Sequence, residues 1–254
     1  MTTLSQLTEK NCQLQALRPL GADELRVLED KIITPFEWEV IASSNQIEGN
    51  SLTLRETELV VSRGLTVAGK PLKDHLEAVN LKIAFDLMKS LARGEEALTE
   101  RVVRELHQCI LCRIDDSWAG QYRTMPVRIS GSEYLPPSPL EVAQLMADWQ
   151  QYVSESINTL HPVSIAADAH EKFVSIHPFV DGNGRTARLI MNFILMRHGY
   201  PAIIIPSDST SRFAYYDALE ASQTTGDPEP FRQFIYSAAN VMLDRYLACL
   251  TNAR

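Results

Sequence analysis

No stretch of this 254-residue chain approaches the eighteen or more uncharged apolar residues that a membrane-spanning helix requires. The first twenty residues, MTTLSQLTEKNCQLQALRPL, have neither a basic start nor an apolar core, so no signal peptide is read there and a cytoplasmic location without a membrane partner is expected. Cysteine is scarce. Its four copies do not make a disulfide framework, and the single CxxC of Cys109 and Cys112 lacks a second pair to complete a zinc site. Around that pair, Val102, Leu106 and Cys109 run beside Val103 and Ile110 at helical spacing, which reads as core packing. Positive charge is also short: 24 Lys and Arg stand against 32 Asp and Glu, and the resulting −8 argues against nucleic acid as the main partner. A single nucleotide needs only a local cluster of cations, so it survives this exclusion. Internal repeats, low-complexity tracts and long Gly/Ser linkers are missing too, so the 45% hydrophobic composition points to one sizeable core, with or without a small appendage.

What is there is mostly helical. Thr53 to Glu56 and Ser138 to Glu141 both read as capping boxes, the second with Pro139 at the first helical position, where a missing N–H costs nothing. After the second, Val142, Leu145, Met146, Trp149 and Val153 form an apolar stripe at i, i+3, i+4 spacing. Similar patterns predict helices over roughly 71–90, 162–176, 184–198 (stopped by Gly199), 211–224 and 229–250. Only Met125 to Pro137 reads otherwise: Val127 and Ile129 alternate with Arg128 before a Gly131-Ser132 turn signal, which predicts a short β-hairpin or flap. Residues 1 to 35 carry no readable motif.

The segment HPFVDGNGRTAR, His177 to Arg188, joins two predicted helices, with Gly182, Asn183 and Gly184 where the second begins. A helix N-terminus presents unpaired N–H groups and partial positive charge, and glycine lets backbone approach an anion without a Cβ in the way. Arg185 and Arg188 sit in the first turn, where cations oppose the helix dipole, so an anion is expected to compensate them. A triphosphate fits, because arginine offers forked donors to phosphate oxygens. His177 and Asp181 should project over that mouth. A neutral imidazole there can take a proton from an attacking hydroxyl, and a carboxylate beside phosphates suits Mg2+. Phe179 and Val180 are expected to anchor the loop in the core. A metal-hydrolase site on His170 and His177, seven apart, wants a further ligand to which nothing in the sequence points.

The loop matches every defined position of HxFx(D/E)GNGRxxR, the signature of the Fic (filamentation induced by cAMP) family, which the chain resembles from about residue 36 to 235. Further segments share in the likeness: SSNQIEGN, GKPLKDHLEAVN, GQYR, HGYPAIII and RFAYYDALEASQTTGDPEPF. The chain looks closest to the metazoan branch, whose membrane anchor and helical repeats have no counterpart in these residues, so that branch's targets are not carried over. The resemblance implies an all-α (mostly α) Fic-fold helical bundle with a short β-hairpin flap. It divides the chain into an N-terminal helical region (1–95), a catalytic core (96–235) and a C-terminal helix packing on the core (236–254). It implies AMP transfer from ATP to a Ser, Thr or Tyr hydroxyl of a target protein, with Mg2+ or Mn2+. By resemblance His177 is the base, Asp181 the metal ligand, Gly182, Asn183 and Gly184 the phosphate cradle, Arg185 a phosphate contact and Arg188 the holder of the γ-phosphate. Tyr216 and Gln223 stand at nucleoside-contacting positions, and Val127, Arg128, Ile129, Ser130 and Gly131 at the flap that binds the target as an added strand. Many relatives carry His where this chain has Tyr134.

Ser44, Glu48 and Gly49 match the family's inhibitory motif, (S/T)xxxE(G/N). The physics agrees. A helix from Phe36 to Glu48, closed by Gly49, leaves Glu48 at the negative end of the dipole, a poor place for a carboxylate unless a cation pairs with it. Arg188 is the expected cation, which would leave basal transfer low. Other readings are the same site removing AMP from a modified protein, transfer of a different phosphate-containing group, and a non-catalytic peptide-binding regulator. A homo-oligomer is compatible with all of them.

Overall fold

The computed structural model describes residues 2–17, 33–129 and 131–252 of the chain. Ten helices account for most of them: α1 (Leu4–Leu17), α2 (Thr34–Ile47), α3 (Leu54–Arg63), α4 (Leu72–Arg93), α5 (Glu100–Leu111), α6 (Val142–Ser156), α7 (Pro162–Ile176), α8 (Asn183–Arg197), α9 (Ser209–Thr225) and α10 (Glu229–Asn252). The fold is thus mostly α, as the apolar periodicity implies. Among the described residues no helix is long and apolar enough to cross a membrane.

The helix ends follow local chemistry. Thr53 and Glu56 form the expected capping box, the Thr53 N–H donating to Glu56 at 2.7 Å, and Gly64 closes α3 in the left-handed region at φ 62°. Pro162 opens α7 behind a His161 cap, and Asp208 caps α9 by accepting from the Ser211 N–H at 3.0 Å. The second predicted capping box forms only by half. Glu141 accepts from the Ser138 N–H at 3.0 Å, but Ser138 Oγ takes the nearer Leu140 N–H at 3.4 Å, so residues 139–141 stay a turn and α6 begins at Val142.

At the centre, α7 and α8 pack along each other. Both are buried nearly all round: Val163 to His170 without a break, and α8 from Asn183 to Leu195 apart from Gly184. Such helices are walled in on every side. Here α4 and α5 cover α8, α6, α9 and α10 cover α7, and α2 crosses α8 beside α3 and α4. One cluster of buried apolar side chains runs from Leu7 and Leu14 of α1 to Leu250 of α10. Polar groups buried on α7 and α8, Asp168, His170, Arg185, Thr186, Arg188 and Asn192, therefore need partners inside the protein or a ligand.

The β-hairpin is the correction to the expected fold. No strand ladder occurs among the described residues of Met125 to Pro137; Ser130 lies outside them. Alternating Val127, Arg128 and Ile129 do carry a β pattern, but among the described residues no strand lies alongside to pair with them. The segment is pinned from its flanks instead: Glu220 of α9 accepts from Ser132 Oγ and from the Glu133 N–H, both at 2.7 Å, and Gly131 makes the turn at φ 80°. Cys109 is half-buried on α5, and Cys112, at its C-cap, is exposed rather than packed in the core.

Candidate active site

The loop between α7 and α8 is built by two left-handed residues. His177 caps α7 at φ 50° and ψ 58°, unusual for a side chain with a Cβ, and Gly182 caps the start of α8 at φ 78°. Between them Phe179 is fully buried and Val180 half-buried, so the anchor rests on the aromatic ring. Asn183 locks the loop: its Oδ1 accepts from the Phe179 N–H and its Nδ2 donates to the Phe179 carbonyl, both at 2.9 Å. Both polar atoms of that side chain are bonded to the loop, so an anion here would meet chiefly the backbone N–H groups of the first turn of α8.

His107 of α5 was not singled out by the sequence, yet it supports the loop from below. It is fully buried, and its ring lies flat on Phe179 at 3.5 Å between centroids. The Gly120 N–H donates to its Nδ1 at 2.9 Å, so Nε2 carries the proton and donates to the Asp181 carbonyl at 2.8 Å. Burial, more than any other influence, pushes His107 down to about 4, so the ring is neutral at physiological pH. A Cβ at Gly182 would press on that ring at 3.2 Å. His107→Phe, which keeps the stacking, would strand the buried Gly120 N–H and the part-buried Asp181 carbonyl, at up to roughly 1–3 kcal/mol each. For a chain of this size that is a fall in Tm on the order of 5–15 °C, measurable by calorimetry. Its pH dependence has a definite sign. A histidine that stays neutral in the fold but takes a proton when unfolded stabilises the protein above about pH 6.5, and that stability drains away as pH falls toward 4. The loss is on the order of 3 kcal/mol, and the Phe variant should lack it. His161, His170, His177 and His198 are shifted the same way, chiefly by burial, so acid should unfold the parent protein readily.

Asp181 stands at the mouth with its side chain 54% exposed, Oδ1 accepting from the Gly182 N–H at 2.6 Å. Arg185 turns under the loop rather than out into the mouth. It is 2% exposed, 3.1 Å from Glu77 of α4 and 3.4 Å from Asp181, and the Glu77 contact is close without lying along an N–H direction. Glu77 is a second partner that the sequence did not mark.

Arg188 is the centre of charge. It is 5% exposed, and three hydrogen bonds from α2 hold it: Nε donates to Ser44 Oγ at 2.8 Å, Nη2 to the Ser44 carbonyl at 2.8 Å and Nη2 to Glu48 Oε1 at 2.7 Å. Ser44 and Glu48 are one turn apart on one face of α2, which is why a single helix can supply all three. Burial opposes the charge on Arg188, but Glu48 and Tyr215 outweigh it and the guanidinium stays protonated. Glu48 is the C-cap of α2 and Gly49 follows at φ 95°, the helix end the sequence indicates. The carboxylate lies directly over the start of α8, where a Cβ on Gly184 would collide with it. A negative group thus already occupies the place where the α8 dipole, Gly184 and Arg188 converge.

His177 is half-buried, and its Nδ1 lies 3.3 Å from the Val174 carbonyl. Burial pushes its pKa down; Arg123 lowers it further, while the Val174 contact, Glu48 and Asp181 pull it up. The net result favours a neutral imidazole. His170 does not join it at the mouth: it is fully buried, 2.9 Å from the Tyr215 hydroxyl and stacked on Phe231. Among the described residues no three His, Cys, Asp or Glu side chains gather as a metal cluster. The nucleoside-side residues separate. The Tyr216 hydroxyl donates to the Ile47 carbonyl at 3.3 Å, beside Glu48, while Gln223 donates to Ser175 Oγ at 3.2 Å on the wall of an open cavity of about 710 Å³ shared with Tyr134. Of the flap residues, Arg128 and Gly131 are exposed and Val127 and Ile129 half-buried.

Comparison with known proteins places this geometry. The Fic/DOC family profile matches residues 97–195. The chain is 37% identical over 245 residues to the protein adenylyltransferase Fic of Drosophila mojavensis, covering 96% of this chain and 47% of that protein. It is 40% identical over 211 residues to the Drosophila melanogaster protein of the same name, covering 83% and 42%. The chain spans about half the length of the curated relatives it matches. Among solved structures, a Fic-domain-containing signaling protein from Bacteroides thetaiotaomicron is 30% identical with a TM-score of 0.85, covering 97% of each chain. Fic-1 from C. elegans superimposes with a TM-score of 0.85 at 28% identity, covering 98% of this chain and 73% of that one.

Proposed function

The chain belongs to the Fic/DOC family, and we propose that it is an autoinhibited protein adenylyltransferase, moving AMP from ATP to a Ser, Thr or Tyr hydroxyl of a target protein. The observation that carries this reading is the Glu48 carboxylate resting on Arg188 and Gly184. A site that needs an internal carboxylate to balance it is a site for an anion, and an anion with terminal negative charge would compete for the same guanidinium.

In the released enzyme, neutral His177 takes the hydroxyl proton as the target oxygen attacks the α-phosphorus of ATP. One oxygen–phosphorus bond forms, the bond from the α-phosphorus to the α–β bridging oxygen breaks, and pyrophosphate leaves. The N-terminal N–H groups of α8 hold phosphate oxygens, and Arg188, freed from Glu48, holds the γ-phosphate. With Glu48 in place the γ-phosphate loses that partner, and ATP binds with its α-phosphorus out of line with the hydroxyl. Asp181 suits a divalent ion: its carboxylate is exposed at the mouth, and Mg2+ or Mn2+ commonly takes one protein carboxylate together with substrate phosphates. When bound, that ion would neutralise phosphate charge. Val127 to Gly131 would take the target segment as an added strand.

Arg188→Ala tests the anion site. In a Glu48→Gly background it should weaken ATP binding by about ten- to a hundredfold, the worth of one forked, charge-assisted contact, as read by titration calorimetry. Unchanged affinity would remove Arg188 from the nucleotide site.

A further inference from the structure

Arg123 ends the GQYR segment, and the mechanism above gives it no part. Its side chain is among the largest that are fully buried, at 2% exposure, and among the described residues it pairs with no carboxylate. Main-chain carbonyls satisfy it instead. Nε donates to His177 at 2.8 Å, Nη1 to Met125 at 3.2 Å, and Nη2 to Pro137 at 2.7 Å and Ile176 at 3.4 Å. Its own N–H donates to the Pro178 carbonyl at 2.9 Å.

These four acceptors fall into two pairs. Met125 and Pro137 are the two ends of the segment that carries the flap, while Ile176 and His177 end α7 and include the proposed base. A buried cation without a counter-ion is expensive, and the carbonyls at the negative end of the α7 dipole help to offset that cost. The left-handed backbone at His177 is the conformation that turns its carbonyl onto Nε. One guanidinium therefore bonds to both ends of this segment and to the end of α7, and the Tyr134 hydroxyl adds a second tie by donating to the Ser175 carbonyl at 3.3 Å.

We propose that Arg123 is the positioning residue that keeps the target-docking flap in register with His177. The proposal rests on the reading of His177 as the base and of Val127 to Gly131 as the flap. A lysine at 123 would keep the charge but could not reach both pairs of carbonyls; a glutamine would lose the charge as well. The charged groups that face His177 are Arg123 from the segment after α5, Glu48 from α2 and Asp181 from its own loop. Of these, Arg123 favours the neutral imidazole, and once Glu48 is removed Asp181 is the carboxylate left to oppose it.

The test compares Glu48→Gly with the same chain carrying Arg123→Lys or Arg123→Gln. Four quantities are read: ATP affinity, automodification rate with α-labelled ATP, tryptic cleavage after Arg128, and the His177 titration by NMR. In the Lys variant ATP affinity should hold within about twofold, automodification should slow at least about tenfold and cleavage should speed up, with the titration unmoved. In the Gln variant the titration and the acid limb of activity should also move to higher pH. The proposal is overturned if cleavage and automodification match the parent in the Lys variant, or if ATP affinity falls together with them and with the melting temperature, which would make Arg123 a general structural residue. If Glu48→Gly itself transfers no AMP, the functional reading fails; cleavage and the NMR titration still decide the coupling.

Discussion

Replacing His177 by alanine is expected to lower AMP transfer at least about a thousandfold while ATP affinity stays within about threefold. The asymmetry follows from position. His177 caps α7 beside the mouth and gives no side-chain bond to Arg188, Asp181 or the first turn of α8, so its loss leaves the anion site whole. What disappears is the acceptor for the hydroxyl proton. The pH profile gives a second reading of the same residue. The proposed base would work neutral and be lost on protonation, and burial together with Arg123 holds the His177 pKa below the ordinary imidazole value. Transfer should therefore persist at pH values below about 6.5, where an exposed histidine would already be charged. Removing Glu48, which pulls the pKa up, should extend the acid limb lower still. Single-turnover labelling across pH, with unfolding followed in parallel, checks both. Near-parental turnover in His177→Ala would take the residue out of the mechanism.

Glu48→Gly should do the opposite and raise transfer at least about tenfold, equivalent to about 1.4 kcal/mol of barrier removed. Substitutions beside an active site usually lower activity; a gain requires a brake. Two contacts define that brake: Glu48 Oε1 on Arg188 at 2.7 Å, and the carboxylate seated over Gly184. Arg188 keeps its two bonds to Ser44 when the carboxylate goes, so the guanidinium remains roughly in place to meet a phosphate. Glu48→Asp, one methylene shorter, should release the site only in part. Glu48→Gly with Arg188→Ala should fall back to little or no activity, because the two residues act on one another and their effects cannot add. The assay is automodification and labelling of lysate proteins with Mg2+ and with Mn2+. A Glu48→Gly protein no more active than its parent in any of them would leave Glu48 without an inhibitory role.

Much of this site could be read from the chain because its parts are close in sequence. His177 to Arg188 is one loop and one helical turn, and the glycine spacing carries its own mechanism, so the proposed anion site could be put forward without the fold. Ser44 and Glu48 were legible for the same reason, being one turn of one helix. Their meeting with Arg188, 140 residues from Glu48, came only from the family resemblance and the dipole argument. The supports were not legible. His107 sits on a strongly amphipathic helix where any buried residue would satisfy the pattern, and its bonds to Gly120 and Asp181 depend on how α5 packs against α8. Glu77 and Arg123 look like ordinary charges on a helix and in a loop, since nothing local signals burial of a charged side chain. The flap misled for a physical reason: alternation of Val127, Arg128 and Ile129 satisfies the β pattern, but a ladder needs a partner strand, and Glu220 and Arg123 supply side-chain bonds instead. The start of α6 slipped because Ser138 had two N–H groups within reach and took the nearer.

The most direct test of AMP transfer itself follows the label. Glu48→Gly protein is incubated with ATP carrying the label on the α-phosphate or, in parallel, on the γ-phosphate, and the protein fraction is analysed by mass spectrometry. The account predicts that α-label alone becomes protein-bound, as AMP on a Ser, Thr or Tyr side chain, with pyrophosphate released in equal amount. Protein-bound γ-label, or no bound label with either nucleotide in a variant that binds ATP, would contradict it.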